Sequence, residues 1–123
     1  MEKYVIHEHW AKKHHFDLRL EMNNVLKSWA IPKDIPLKEN EKRLAIQVED
    51  HPISYANFEG IIPEGMYGAG KVAIWDKGSY ELVEYERNKK IVINVKGKKL
   101  KGKYCLIHFK PKEKNWLFFK IKD

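Results

Sequence analysis

Four of the chain's six histidines fall between positions 7 and 15: His7, His9, His14 and His15. The residues that follow alternate strictly. Phe16, Leu18 and Leu20 interleave with His15, Asp17, Arg19 and Glu21, the period-2 pattern of a half-buried strand. His15, Asp17 and Arg19 therefore share the face opposite the apolar one. A merely solvated strand face would carry Lys, Glu, Thr or Ser. His-x-Asp instead presents an imidazole and a carboxylate about 7 Å apart along the strand. His9, expected on the preceding loop, can fold back as a third ligand. Two imidazoles and one carboxylate leave coordination positions open, as a catalytic metal site requires. The donor set suits Mn, Fe or Zn better than Ca or Mg.

A second polar face is expected on residues 43–51. Arg43, Ala45, Gln47, Glu49 and His51 alternate with Leu44, Ile46 and Val48. If the two strands lie close, arginines, histidines and carboxylates converge, and such a group calls for a ligand, because unpaired buried charge is costly. A cation and a phosphate together would satisfy it. Pro52 holds His51 extended, and Tyr55 is placed to donate a hydrogen bond to a phosphate oxygen. Between residues 59 and 70 lie four of the seven glycines. That run matches neither the phosphate loop of nucleotide hydrolases nor a dinucleotide fingerprint. A wall of the site and a purely structural turn both account for it, and no catalytic residue is assigned there.

The elements that position these groups read as all-β. Strands are expected at residues 15–21, 25–31, 43–49, 71–76, 79–85, 90–95, 103–110 and 116–121. Asn23-Asn24, Asp76-Lys77-Gly78, Arg87-Asn88, Gly97-Lys98 and residues 112–115 supply turns. A short helical turn is expected near residues 55–58. About eight short strands with tight turns predict a small antiparallel barrel or sandwich. Trp29, Trp75, Trp116, Phe118 and Phe119 are its candidate core. The 123 residues fit one domain spanning 1–123, too short for a helicase, polymerase or ligase core. No apolar run approaches a membrane span and no leader pattern is visible, so a cytoplasmic protein is expected. The single cysteine, Cys105, excludes an intramolecular disulfide and a cysteine zinc site. Lys and Arg total 24 against 17 Asp and Glu, a net charge of +7, which favours a polyanionic partner, nucleic acid first. Only three of those cations are arginines: Arg19, Arg43 and Arg87.

On their own these residues leave three readings open: a metal-dependent phosphoesterase, a non-haem iron oxygenase with the same ligand composition, and a nucleic-acid-binding barrel. The last explains the charge but not the His, Asp and Arg on one face.

At these residues the chain resembles the 3′-phosphoesterase domain of bacterial DNA ligase D and its stand-alone relatives. The matching stretches are HWAKKHHFDLRLE (9–21), LKSWAIPK (26–33), KRLAIQVEDHP (42–52), YANFEGIIPEG (55–65), YGAG (67–70), WDKG (75–78) and LKGK (100–103). They run in order through nearly the whole chain. The resemblance implies a small β-barrel with a polar groove that processes DNA 3′ ends with Mn²⁺. It implies removal of a terminal ribonucleoside and then of the 3′-phosphate, leaving a 3′-hydroxyl. Carried over by position, His9, His15 and Asp17 would be metal ligands. Arg19, Arg43, His51 and Tyr55 would bind phosphate and act in catalysis, and Glu49 would be a further required residue. The implied partners are DNA or RNA-terminated primer–template 3′ ends and a ligase acting in trans, with the protein a monomer.

Overall fold

The computed structural model describes residues 1–109 and 113–122. Among them the strands are β1 (Glu2–Trp10), β2 (His14–Met22), β3 (Val25–Ile31), β4 (Lys42–His51), β5 (Gly60–Ile62), β6 (Gly70–Glu86), β7 (Lys90–Lys96), β8 (Lys101–His108) and β9 (Asn115–Lys120). A single 3₁₀ turn covers Ile53–Asn57. Every strand pairing is antiparallel. In spatial order β1-β2-β3-β4-β9-β8-β7-β6 runs round a circle that closes because β6 also pairs with β1. The expected eight-stranded antiparallel barrel is the fold. The ninth strand, β5, lies outside it against the start of β6.

Local chemistry explains most element ends. β2 and β3 join through Asn23-Asn24, both at positive φ (52° and 66°), the left-handed pair that a two-residue hairpin needs and that asparagine tolerates. Pro32 follows the end of β3 directly. The expected turn at residues 76–78 is absent: β6 runs through it as one 17-residue strand. Asp76 is not serving a turn of its own chain. Its buried carboxylate accepts the Tyr4 hydroxyl (2.8 Å) and the backbone N–H groups of Lys98, Lys99 and Leu100 (2.9–3.0 Å). Burial raises that carboxyl's pKa, but the donors outweigh burial and hold it below the usual range. Gly78 lets β6 pass close to β7, since a Cβ there would collide with the Lys96 carbonyl oxygen.

The strand expected at 103–110 ends at His108; its last residue, Lys110, and the start of the expected turn, Lys112, lie outside the described residues. β1 is a strand where a loop was expected. Its residues Tyr4, Val5 and Ile6 are all buried, because one face packs inside the barrel and the other against a small second cluster.

The barrel interior holds Tyr4, Leu18, Leu20, Trp29, Ile93, Tyr104, Trp116 and Phe118. Trp75 packs on it from the edge, and Phe119 faces outward, half-buried. The second cluster, Val5, Leu26 and Ala56 with Tyr55 and Ile74, lies on the opposite side of the β1–β3 wall. It seats the 3₁₀ turn and so fixes Tyr55 beside the groove. Among the described residues no helix is long and apolar enough to cross a membrane.

Candidate metal and phosphate site

Register sets the site. In the β1–β2 pair, His9 lies opposite His15, His7 opposite Asp17 and Val5 opposite Arg19. In the next pairings across the sheet, Arg19 faces Ser28 and Asp17 faces Ala30 of β3, and Leu26 and Ser28 face His51 and Val48 of β4. All of these side chains project to the outer, groove side of the wall, where a cleft of about 490 Å³ opens.

His9, His15 and Asp17 each place one ligand atom within 4.8 Å of the others. Asp17 Oδ2 is 3.2 Å from His15 Nε2 and 3.6 Å from His9 Nδ1, spacings that suit ligands about 2.0–2.2 Å from one shared ion. The chemistry of the donors fits a cation as well. The outer nitrogen of each imidazole is engaged by a backbone carbonyl: His9 Nε2–H donates to Gly68 O (2.7 Å) and His15 Nδ1–H to Lys13 O (3.0 Å). In that tautomer the remaining nitrogen of each ring turns its lone pair toward Asp17. This is the outer support that orients metal-binding histidines. Burial would raise the Asp17 carboxyl's pKa. When no cation is there and the rings are protonated on that side, His15 and His9 donate to the carboxylate, and these bonds with the charge of Arg19 outweigh burial and hold the group ionised far below the usual range. The Asp17 contact raises His15 above its ordinary value.

Arg19 is buried beside this set and almost fully engaged. Its Nε–H donates to His7 Nδ1 (3.1 Å), and Nη1 reaches Ser28 Oγ (2.8 Å) and His51 Nδ1 (3.2 Å). Nη2 lies 3.4 Å from Asp17, and the guanidinium sits 4.9 Å from the Tyr55 ring centroid. Burial lowers the Arg19 pKa, and the Asp17 carboxylate opposes it. His7, wholly buried, donates its Nε2–H to Phe58 O (3.0 Å). Burial and then the Arg19 charge depress its pKa to about 4, so it is the neutral acceptor that Arg19 needs. His7 and Ser28 were not singled out from sequence. His7 had a visible signal: it stands two positions before His9, on the same face of any strand that runs through both.

His51 and Tyr55 join the cleft, their rings tilted at 38° with centroids 4.8 Å apart, and Phe58 stacks on Tyr55 at 4.9 Å. Burial and then Arg19 lower the His51 pKa, and burial raises that of Tyr55. Glu49 lines the rim. It meets His51 through its backbone oxygen, 3.1 Å from Nδ1.

Arg43 is not brought to this group. The expected faces of β4 are exchanged: Ala45 is in the core, Gln47 accepts the Trp116 indole N–H (3.1 Å), Leu44 is exposed, and Val48 lines the cleft. A register shift between the Leu26 and Ser28 pairs then turns His51 to the groove side. Arg43, opposite Phe118 of β9, bonds Asp34 instead. His9 sits in β1 rather than on a loop. The glycine-rich run does wall the site, through Ile62, Tyr67 and Gly68.

The fold and site together define a small antiparallel β-barrel with a two-histidine, one-carboxylate cluster that could hold a metal ion, set beside a buried arginine. The sequence profile of the DNA Ligase D 3′-phosphoesterase domain matches residues 7–108, and the chain belongs to that family. It is 45% identical, over 99% of its length, to the multifunctional non-homologous end joining protein LigD of Mycolicibacterium smegmatis. It is 43% identical over 98% to the protein of that name from Mycobacterium bovis, and 42% identical over 98% to the one from Pseudomonas aeruginosa. The chain spans only 17%, 16% and 15% of those three proteins. Membership supports a hydrolase acting on phosphoester bonds.

Proposed function

We propose that the chain is a Mn²⁺-dependent phosphoesterase that heals DNA 3′ ends, removing a terminal ribonucleoside and then the 3′-phosphate to leave a 3′-hydroxyl for ligation. The observation that carries this reading is the arrangement of His9, His15 and Asp17, one ligand atom of each within 4.8 Å of the others, directly beside the Arg19 guanidinium. With both imidazoles neutral, the ligands and Arg19 together have no net charge, so a divalent cation makes the cleft positive and attractive to a phosphate.

Held by His9, His15 and Asp17, Mn²⁺ would supply Lewis acidity toward a phosphate oxygen and a lowered pKa for a bound nucleophile. Arg19 holds the phosphate and stabilises charge that develops on it. Its cage keeps the guanidinium in one orientation, so little reorganisation is needed during reaction. His51 has two neutral tautomers. When Nδ1 accepts from Arg19, Nε2–H is the donor left for the leaving oxygen. Tyr55 offers its hydroxyl to a phosphate oxygen, and Glu49 adjusts the field at Arg19 and His51. Arg43, given a phosphate-binding role by resemblance, acts at most from outside the cleft, through Asp34. The proposed setting is cytoplasmic, as a monomer, on primer–template 3′ ends, with an end-joining ligase in cis or in trans.

The test is a 5′-labelled primer–template whose primer ends in one ribonucleotide, treated with wild type and Mn²⁺, wild type and EDTA, and His15→Ala. Stepwise conversion to a 3′-phosphate and a 3′-hydroxyl, lost in the second and third arms, supports the proposal. A primer that stays bound but uncleaved with every divalent metal overturns it.

A further inference from the structure

The cleft is divided by chemistry. Its floor on β1 and β2 is polar: the metal ligands and Arg19. Its outer wall is not. Ile62, at the end of β5, and Tyr67, from the glycine-rich segment that follows it, line it together with Ala11. At about 490 Å³ the cleft is larger than one metal ion and one phosphate need, and falls in the range of sites for small organic ligands. Tyr67 is 82% exposed, the most exposed large hydrophobic side chain among the described residues. It is also adjacent in sequence to Gly68, whose carbonyl is bonded to His9, so the ring stands one residue from the metal-ligand shell. The backbone there depends on glycine, Gly65 and Gly68 having φ of 84° and 77°. An aromatic side chain this exposed, on the cleft wall and next to the residue that bonds His9, serves no packing purpose in the fold.

We infer that Tyr67, which lines the cleft with Ile62, is a stacking platform for the base of the nucleotide whose 3′-phosphate lies at Arg19. This rests on the phosphoesterase reading and names the part of the substrate that the polar floor leaves unrecognised. Aromatic stacking accepts any base, because every base has a π face. The platform therefore gives affinity and orientation for a nucleoside end without sequence preference. It also sets a polynucleotide end apart from free phosphate, which the polar floor alone would treat alike.

The test pairs variants with ends. Tyr67→Ala, Tyr67→Phe and wild type are compared on primers carrying a 3′-phosphate on an ordinary nucleotide or on an abasic sugar. On the ordinary end, Tyr67→Ala raises KM about 5- to 150-fold and Tyr67→Phe stays near wild type. On the abasic end, wild type is already weakened and Tyr67→Ala adds nothing. Mn²⁺ affinity, measured by titration calorimetry, is the same in all three proteins. A second readout does not need turnover: 2-aminopurine as the terminal base is quenched on binding wild type and not on binding Tyr67→Ala. The inference is overturned if Tyr67→Ala matches wild type on the ordinary end, if it loses as much on the abasic end, or if wild type binds without quenching. Quenching without hydrolysis would instead overturn the phosphoesterase reading and leave the platform standing.

Discussion

His7→Ala isolates the cage from the metal. In wild type the buried His7 ring accepts Arg19 Nε–H at 3.1 Å and donates to Phe58 O at 3.0 Å. Truncation leaves a buried, charged donor and a carbonyl without partners. A hydrogen bond to a charged group contributes about 1.5–3 kcal/mol. If the whole of that falls on the orientation of Arg19 in the transition state, kcat drops about 10- to 150-fold. None of His9, His15 and Asp17 loses a contact, so Mn²⁺ affinity holds. His7→Gln restores one acceptor and one donor on a stem of similar reach, and should recover most of the rate. The assay is steady-state hydrolysis of a 3′-phosphate-terminated primer at saturating Mn²⁺, with thermal denaturation confirming that each variant is folded. A folded His7→Ala protein with wild-type kcat would refute the reasoning. So would a Gln variant as slow as the Ala variant, since the loss would then owe nothing to hydrogen bonding.

Other expectations follow from the same contacts. The folded pKa of His7, about 4, lies below the ordinary 6.5, so the unfolded chain binds the extra proton first. Stability is then complete above pH 6.5 and falls by up to about 3 kcal/mol toward pH 4; acid titration of wild type against His7→Gln, which flattens that limb, measures it. His15 shifts upward, so its contribution to metal-free stability is complete below pH 6.5 and is lost as pH rises through its raised value. Because Mn²⁺ must displace that proton, its apparent affinity should weaken as pH falls below the raised value, which calorimetry at several pH values would show. Asp76→Asn removes the charge and turns an NH2 toward donors that one carboxylate oxygen now accepts, such as the Leu100 N–H and the Tyr4 hydroxyl, and should cost about 3 kcal/mol. Differential scanning calorimetry would show a Tm lower by about 10 °C or more, with kcat at 25 °C unchanged. Asp17→Asn should abolish Mn²⁺ binding while leaving the barrel's circular dichroism intact.

Much of the barrel could be read from alternation and turns. β3 runs over the residues expected, because an Asn-Asn hairpin starts it and Pro32 follows it. β2 showed its two faces plainly, since one is wholly apolar and the other carries charge. β4 did not. Both of its faces hold apolar residues, and the small Ala45 faces inward because β9 fills that part of the barrel with Trp116 and Phe118. Bulk therefore pointed the wrong way, and Arg43 went with it. β1 was hidden because its polar members, His7 and His9, are buried by the site rather than by an apolar core. The 76–78 turn looked sound locally, but Asp76 is used by a loop about twenty residues later. Tyr67 gave no periodic signal at all; only the three-dimensional position of its loop shows that it borders the cleft.

The ligand set has a property that concerns time. His9, His15, Asp17 and Arg19 all belong to one hairpin, β1–β2, and its register alone brings them together. Hairpins form in about 1–10 μs, whereas barrels rich in non-local pairings take milliseconds to seconds. The groups that complete the cleft come later in the chain: Gly68, His51 and the carbonyl of Phe58. A nascent chain could thus capture a metal ion before β6 returns to β1 and closes the wall. The ion would then act as a clasp on the first hairpin, speeding the search for the rest of the fold. The cage that fixes Arg19 would be completed only later, since Ser28 and His51 belong to β3 and β4.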